Sequence, residues 1–342
     1  MSTSEVTFEF NVPTFAGAPI EGTEPVHRDA PCYERLDWDT TIEAVRRAEE
    51  LGYAAAWAPD HFNTGRDNAE YEVWTLLSAL ANATDEIGLG SLVLSNDYRN
   101  PALVAKMAAT LDVVSDGRLE LGLGAGWRRS EYEAYGWEWR EGFERLLRLD
   151  EGIRVMKEMW TEAKPAFDGD HYTIEDAYCN PGPVQEPHPP ILVGGVGEEV
   201  TLKLVAKLAD VWNTDVFNGD VETLEHKIGV IEDHCATVGR DPGEIEYSWD
   251  GHVICTRDEE KRDRLLDLML PIQFSEEYQD QADIETRADA ANFFIVGEPA
   301  ECAAAIEERV DVGVTKFMCW FADYPDFEGM ELFADDVMGQ FG

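Results

Sequence analysis

The sequence is poor in positive charge. Of its 342 residues only 27 are Lys or Arg, against 70 Asp or Glu, and the net charge is −43. The few bases divide into 8 Lys and 19 Arg. The acids run the length of the chain instead of gathering in one tail, so the imbalance belongs to the whole surface. Such a surface repels nucleic-acid phosphates and anionic membranes, and excludes both as partners. It also stays hydrated in concentrated salt, which predicts a halophilic protein.

Cysteine is sparse as well. The six residues Cys32, Cys179, Cys235, Cys255, Cys302 and Cys319 contain no C-x-x-C pair. That spacing argues against a zinc ribbon or a redox dithiol and predicts reduced, mostly buried thiols in the cytoplasm. The opening "MSTSEVTFEFNV" has neither a basic start nor a long apolar region, so no signal peptide is expected. No stretch approaches 18 consecutive apolar residues, the length of a membrane span. H-E-x-x-H, G-x-S-x-G and G-x-x-x-x-G-K-[ST] are all missing, which speaks against a catalytic metal, a serine hydrolase and a P-loop NTPase.

What the chain does contain is a large apolar fraction in a regular beat. Hydrophobic residues make up 44%, with 10 Trp and 15 Phe. "VTFEFNVP" alternates like a strand, and "WDTTIEAVRRAEELGY" follows as an amphipathic helix. Asp39 or Thr40 can cap that helix, and Ile42, Val45, Ala48 and Leu51 make its inner stripe. Strands at "AAAWAPDHF", "IGLGSLVLS", "GRLELGLGAG", "ILVGG", "VWNT", "IEYSWDGHVICT" and "VTKFMCWF" then alternate with helical stretches. Eight βα units closing on themselves predict a (β/α)8 TIM barrel as one domain spanning 1–342. Residues 161–190 and 271–292 are the expected insertions, and they are expected to shape the substrate pocket.

The stretch Gly122-Leu-Gly124-Ala-Gly126 looks like a phosphate loop, but a dinucleotide fingerprint needs a third Gly leading straight into a helix. Here Trp127 stands at that position and the stretch is the fourth strand. Its glycines either let a strand end lie close to a flat ligand or relieve crowding inside the barrel. The active site of such a barrel lies at the C-terminal strand ends. This sequence puts Asp60 and His61 after the second strand, and Ser95, Asn96, Asp97, Tyr98 and Arg99 after the third. Trp127, Arg128, Arg129, Ser130 and Tyr132 follow the fourth, Gly194, Gly195 and Gly197 the fifth, and Asn213, Thr214 and Asp215 the sixth. His61, beside a carboxylate, is placed to donate a hydrogen bond or shuttle a proton, or else merely to cap its loop. "GGVGEE" can offer backbone N–H groups to an anion. Arg99, Arg128 and Arg129 either offset an anionic cofactor or pair with Glu131, Glu133 or Asp97.

"RNPALVAKMAATLDVVSDGRLELGLGAGWRRSEYEAYG", "ERLLRLDEGIRVMKEMWTE" and "PPILVGGVGEEVTLKLVAKLADVWN" together resemble the luciferase-like monooxygenase superfamily. More narrowly they resemble its branch of oxidoreductases that use the deazaflavin coenzyme F420. The similarity runs from about residue 40 to about residue 325. The resemblance implies a bacterial luciferase-like barrel and a homodimer. It implies that His61, with Asp60 before it, contacts the deazaflavin ring. A non-proline cis peptide against the ring's back face would fall on Ser91-Leu92. Gly124, Gly126, Gly194 and Gly195 would line the cofactor cleft together with Trp127 and Val196, and Ser130 would make a polar contact. One departure stands out: in the sugar-phosphate dehydrogenase branch a carboxylate proton donor follows Gly-x-Gly, where this chain has Trp127. That disfavours a sugar phosphate and suggests a hydrophobic wall for an apolar or aromatic substrate. The implied activity is hydride transfer between F420 and a small organic substrate. The alternatives are an FMN-dependent two-component monooxygenase served by a separate flavin reductase, and a flavin-binding protein without turnover.

Overall fold

The computed structural model describes residues 5–14, 36–63, 69–214, 218–273 and 286–342. Cys32 and Asp215 lie outside these described residues. Eight parallel strands form the barrel: β1 (Thr7–Asn11), β2 (Ala55–Ala58), β3 (Gly88–Ser91, resuming at Leu94–Ser95), β4 (Leu119–Gly124), β5 (Ile191–Gly194), β6 (Val211–Asn213), β7 (Glu246–Cys255) and β8 (Lys316–Phe321). Each pairs with the next, and β8 returns to β1 with Thr7 opposite Lys316 and Phe10 opposite Cys319, so the sheet closes. The expected (β/α)8 barrel is what the chain forms.

Helices cover the outside: α1 (Trp38–Glu50), α2 (Val73–Ala83), α3 (Pro101–Ser115), the short α4 (Arg129–Tyr135), α5 (Gly142–Thr161), α6 (Thr201–Leu208), α7 (Val221–Val238), α8 (Glu259–Gln273), α9 (Arg287–Phe293), α10 (Pro299–Asp311) and α11 (Glu328–Asp336). The cap of α1 is Asp37, not Asp39 or Thr40. Asp37 is extended, and its carboxylate accepts from the Thr40 N–H at 3.0 Å. The buried stripe of α1 is Thr41, Ala44, Val45 and Ala48, one position round from the expected Ile42 and Leu51.

Strand alternation separates two environments. Phe8 and Phe10 of β1 point outward into the main core beneath the helices. Inside, Ala55, Trp57, Leu192, Val211 and Met318 make a smaller cluster, with Leu92 and Val93 packed against it. At the barrel's floor Lys316 Nζ lies 2.6 Å from Glu120 and 3.2 Å from Glu9. Burial pushes Glu9 up to about 7 against the pull of Lys316.

The segment 161–190 is a hairpin, Ala166–Asp168 with Thr173–Glu175, followed by a strap. The hairpin tip hangs on α5, where the Glu151 carboxylate accepts from the N–H groups of Asp170, His171 and Tyr172. The strap is tied to α3, where buried Asp112 accepts from the N–H groups of Val184 and Gln185. This insertion braces the outer wall of the barrel, and its Tyr172 hydroxyl accepts from Asn96, just past β3, at 3.1 Å. Of the second segment, 274–285 lie outside the described residues and the remainder includes α9. A further strand, Ile295–Gly297, pairs in parallel with Val253–Cys255 of β7, on the edge that β6 takes lower down.

Candidate active site

The strand ends converge on a mouth whose shape is set by a break in β3. Between Ser91 and Leu94 the chain bulges through a cis peptide at Leu92–Val93, one bond later than expected. The bulge fits because its neighbours have no side chains. A Cβ on Gly122 would sit 1.9 Å from the Ser91 carbonyl oxygen. A Cβ on Gly124 would sit 2.7 Å from Val93 Cγ2, and one on Gly194 3.2 Å from Val93 Cγ1. These glycines relieve crowding, since they receive the bulge. Ser91 is fully buried and stitches the strands, donating to the Gly122 carbonyl at 2.9 Å and accepting from its N–H at 3.1 Å.

Gly126 and Gly195 serve backbone geometry instead. Gly126 has φ +76°, and its missing side chain leaves space for the Tyr132 and Ser95 hydroxyls, which lie 2.8 Å apart. Gly195 has φ +130°; its carbonyl accepts from Trp212 Nε1 and its N–H donates to Asn213. The turn through Val196 and Gly197 opens α6 only at Thr201. A carboxylate of the protein stands on that turn, because Glu198 takes hydrogen bonds from Lys227 at 2.6 Å and His226 at 2.9 Å. The "GGVGEE" turn thus carries a carboxylate that is tied to α7.

His61 sits at the end of β2 with its side chain about one-fifth exposed. Its Nδ1 lies 2.9 Å from Glu131 Oε2, and the edge of Trp127 meets its ring at 5.5 Å between centroids. Glu131 is fully buried in the first turn of α4. Its Oε1 accepts from the Phe62 N–H at 2.8 Å and the Asn63 N–H at 3.4 Å, and its Oε2 from the Tyr98 hydroxyl at 2.9 Å. Burial raises its pKa, but the hydrogen bond and charge of His61 and the donors of Phe62 and Tyr98 outweigh that, and it falls to about 2. Phe62, Tyr98, Tyr132, Tyr135 and Trp137 pack ring against ring around this carboxylate, with Tyr98 and Trp137 stacked.

Asp60, read as a partner of His61, turns away from the mouth. It is buried, and its oxygens accept from the Arg99 guanidinium at 2.7 and 3.0 Å and from the Ser95 N–H. Burial pushes its carboxyl up while Arg99 pulls it back. Arg99 also meets Glu72 at 2.7 Å, Arg129 pairs with Glu133, and Arg128 lies 3.5 Å from Glu131. Each of the three arginines thus has a carboxylate of the protein beside it; Asp97 goes to Arg148 instead. Trp127 is nearly half exposed beside His61, and Ser130 is exposed in the first turn of α4.

The facing wall went unnoticed in the sequence. Asn11 of β1 donates to Asp250 of β7 at 2.7 Å, and Trp320 Nε1 of β8 donates to the same oxygen at 3.1 Å. His252, two residues on, is held neutral by burial, with its pKa lowered to about 3. The available signal was alternation: polar side chains at every second position of otherwise apolar strands mark the inside of a barrel end. Glu131 carried no comparable signal, because its contact with His61 spans 70 residues of chain.

The family's model, luciferase-like monooxygenase, matches residues 10–316. The chain belongs to that family. It is 28% identical over 322 residues to an F420-dependent glucose-6-phosphate dehydrogenase of Amycolatopsis mediterranei, covering 87% of this chain and 92% of the relative. It is 31% identical over 210 residues to an FMNH(2)-dependent dimethylsulfone monooxygenase of Pseudomonas putida, covering 60% and 56%. Its fold matches an F420-dependent secondary alcohol dehydrogenase with TM-score 0.79 at 23% identity, over 98% of both chains. As a family member it is an oxidoreductase of the luciferase-like type. Leu92 and Val93, half-buried, pack over the inner cluster, on the strand next to the β2 end that leads to His61.

Proposed function

We propose that this protein is an F420-dependent oxidoreductase that moves a hydride between C5 of the deazaflavin and a small organic substrate. The observation that carries the reading is the His61–Glu131 pair just past β2, the strand next to the Leu92–Val93 bulge. Likeness over nearly the whole chain to the F420-dependent dehydrogenase of Amycolatopsis mediterranei supports it. When bound, the deazaflavin supplies the carbon that accepts or gives up the hydride. The chain's own part is placement. Leu92 and Val93, on the bulge that Ser91 stitches down, take the ring's face. Gly124, Gly126, Gly194, Gly195 and Val196 frame the cleft, and Ser130 offers a polar contact at its rim. His61 meets the ring or substrate through Nε2 and holds or moves a proton there. Asp60, through Arg99, keeps the β2 loop in place.

Trp127 and Asp250 speak to the substrate. An indole stands where the sugar-phosphate enzymes carry a carboxylate, and the facing wall holds a carboxylate of its own. A neutral, partly apolar substrate fits that mouth better than a phosphate ester does. The second reading is an FMN-dependent monooxygenase with a separate flavin reductase, favoured by the similarity to the Pseudomonas putida enzyme.

Fluorescence titration of the protein with F420 and with FMN, in high salt, separates the two readings. Micromolar or tighter F420 binding, weak FMN binding and loss of affinity or hydride transfer in His61→Ala are expected. Preference for FMN, with oxygen consumption from reduced flavin, refutes the deazaflavin reading. We also infer a cytoplasmic, halophilic homodimer. Leu103 on α3 and Phe143 and Leu147 on the adjoining α5 are exposed apolar residues suited to a second copy. Light scattering in molar potassium chloride should give twice the 38.4 kDa chain mass; a monomeric mass refutes the dimer.

A further inference from the structure

We propose that Glu131 is a positioning residue that fixes the tautomer of His61, keeping the proton on Nδ1 so that Nε2 presents a lone pair to a hydrogen-bond donor in the mouth. The inference rests on the reading of His61 as a site residue, but not on which cofactor binds.

The argument is one of donors and acceptors. Glu131 Oε2 stands 2.9 Å from Nδ1, and an ionised carboxylate can only accept. The neutral imidazole beside it must therefore carry its hydrogen on Nδ1, which leaves Nε2 as the acceptor. Nε2 has no partner among the described residues, and the side chain reaches solvent at the mouth. The buried carboxylate stays ionised because its other contacts are donors too: Phe62 N–H, Asn63 N–H and the Tyr98 hydroxyl, with Arg128 Nη1 at 3.5 Å. Asp60, next to His61 in the chain, is bound by Arg99. A group that meets Nε2 is thus selected as a donor, such as a ring N–H or a substrate hydroxyl.

The arrangement makes Glu131→Gln an unusually informative change. Two backbone N–H groups converge on Oε1, and neither can become an acceptor. The glutamine must place its amide oxygen there, which turns its NH2 group toward His61. Nδ1 must then accept, and the proton moves to Nε2. Tyr98 tolerates the swap, because its hydroxyl can accept as well as donate. Glu131→Gln should invert the tautomer, whereas Glu131→Asp, which retains a carboxylate, should preserve it.

The experiment is long-range proton–nitrogen correlation spectroscopy of ring-labelled histidines in the full chain, read at a pH where the His61 ring itself shows a single N–H. His61→Gln assigns the His61 signal among the seven histidines. The expected result is Nδ1–H in the wild type and in Glu131→Asp, and Nε2–H in Glu131→Gln. Affinity for whichever of F420 or FMN binds should fall roughly tenfold in the Gln variant, where two donors would face each other. Nε2–H in the wild type overturns the proposal, and so does an unchanged tautomer in a folded Gln variant. Should the Gln variant not fold, Tyr98→Phe decides: it should keep Nδ1–H, and a switch there assigns the control to Tyr98. A failed F420 titration with the tautomers as expected would refute the deazaflavin reading and leave this one standing.

Discussion

The buried carboxylate of Glu131 shows how one side chain can serve both the fold and the site. Its pKa stands at about 2 in the folded protein against an ordinary 4.5. A depressed carboxylate stabilises the fold above its unfolded pKa and loses that contribution as pH falls through the folded value. The difference corresponds to about 3 kcal/mol. Denaturation of wild type and Glu131→Gln at a series of pH values should show the wild type ahead by about this much near pH 6, and the gap closing as pH falls from about 4.5 toward 2. A gap that stays constant across that window would mean that the fold does not hold the Glu131 carboxyl below its ordinary range. At this scale the sequence singles out His61 but does not point to the carboxylate that it meets, Glu131. Asp60 is adjacent in the chain and looked like the natural companion, yet it turns to Arg99. Adjacency along a strand end puts neighbouring side chains on opposite sides, so the true partner comes from another element.

Among the elements, the break in β3 and the bare strands beside it form one unit. The glycines of β4 and β5 look like a cofactor loop in one dimension and are a socket for Val93 in three. Gly124→Ala would drive its Cβ against Val93 Cγ2, and overpacking of this kind costs about 1–3 kcal/mol. It should also displace the Leu92–Val93 bulge and weaken cofactor binding. Adding Val93→Ala removes the atom in the way, so the double variant should recover most of the stability lost in Gly124→Ala. A double-mutant cycle by thermal and chemical denaturation measures the coupling, and purely additive losses would refute the socket. The barrel itself was readable because strands of period two and helices of period 3.6 alternate so regularly. The Ala166–Asp168 hairpin and the Ile295–Gly297 strand were not. Each is three residues per strand, too short for periodicity to show, and each is held by distant partners such as Glu151 and Val253. α4 was missed for the same reason, since its seven residues follow a glycine-rich strand end with no break in composition.

For the molecule as a whole, charge sets the conditions under which the barrel holds together. With a net charge of −43, the folded state gathers like charges into a smaller volume than the unfolded chain does. A few of the cations are committed inside, while others, such as Arg129, Arg257 and Arg287, pair with acids at the surface. Lys316 is at the barrel floor, Arg99 is under the mouth, and buried Arg309 donates to the carbonyls of Gly219, Ala305 and Asn292. With 27 bases against 70 acids, the positive charge at the surface cannot balance the outer acids, so dissolved cations must screen them. At 0.1 M salt the screening length is about 10 Å, long enough for neighbouring acids to repel, and at 1 M it shrinks to about 3 Å. Internal pairs such as Asp60–Arg99 are shielded from solvent and should change little over the same range. Stability should therefore rise with potassium chloride well into the molar range, beyond the point where screening of a few pairs would saturate. Thermal melts should show Tm climbing by roughly 10 °C or more between 0.1 M and molar salt, several kcal/mol for a chain this long. A Tm that is flat or falls across that range would mean that the acidic surface is not an adaptation to salt.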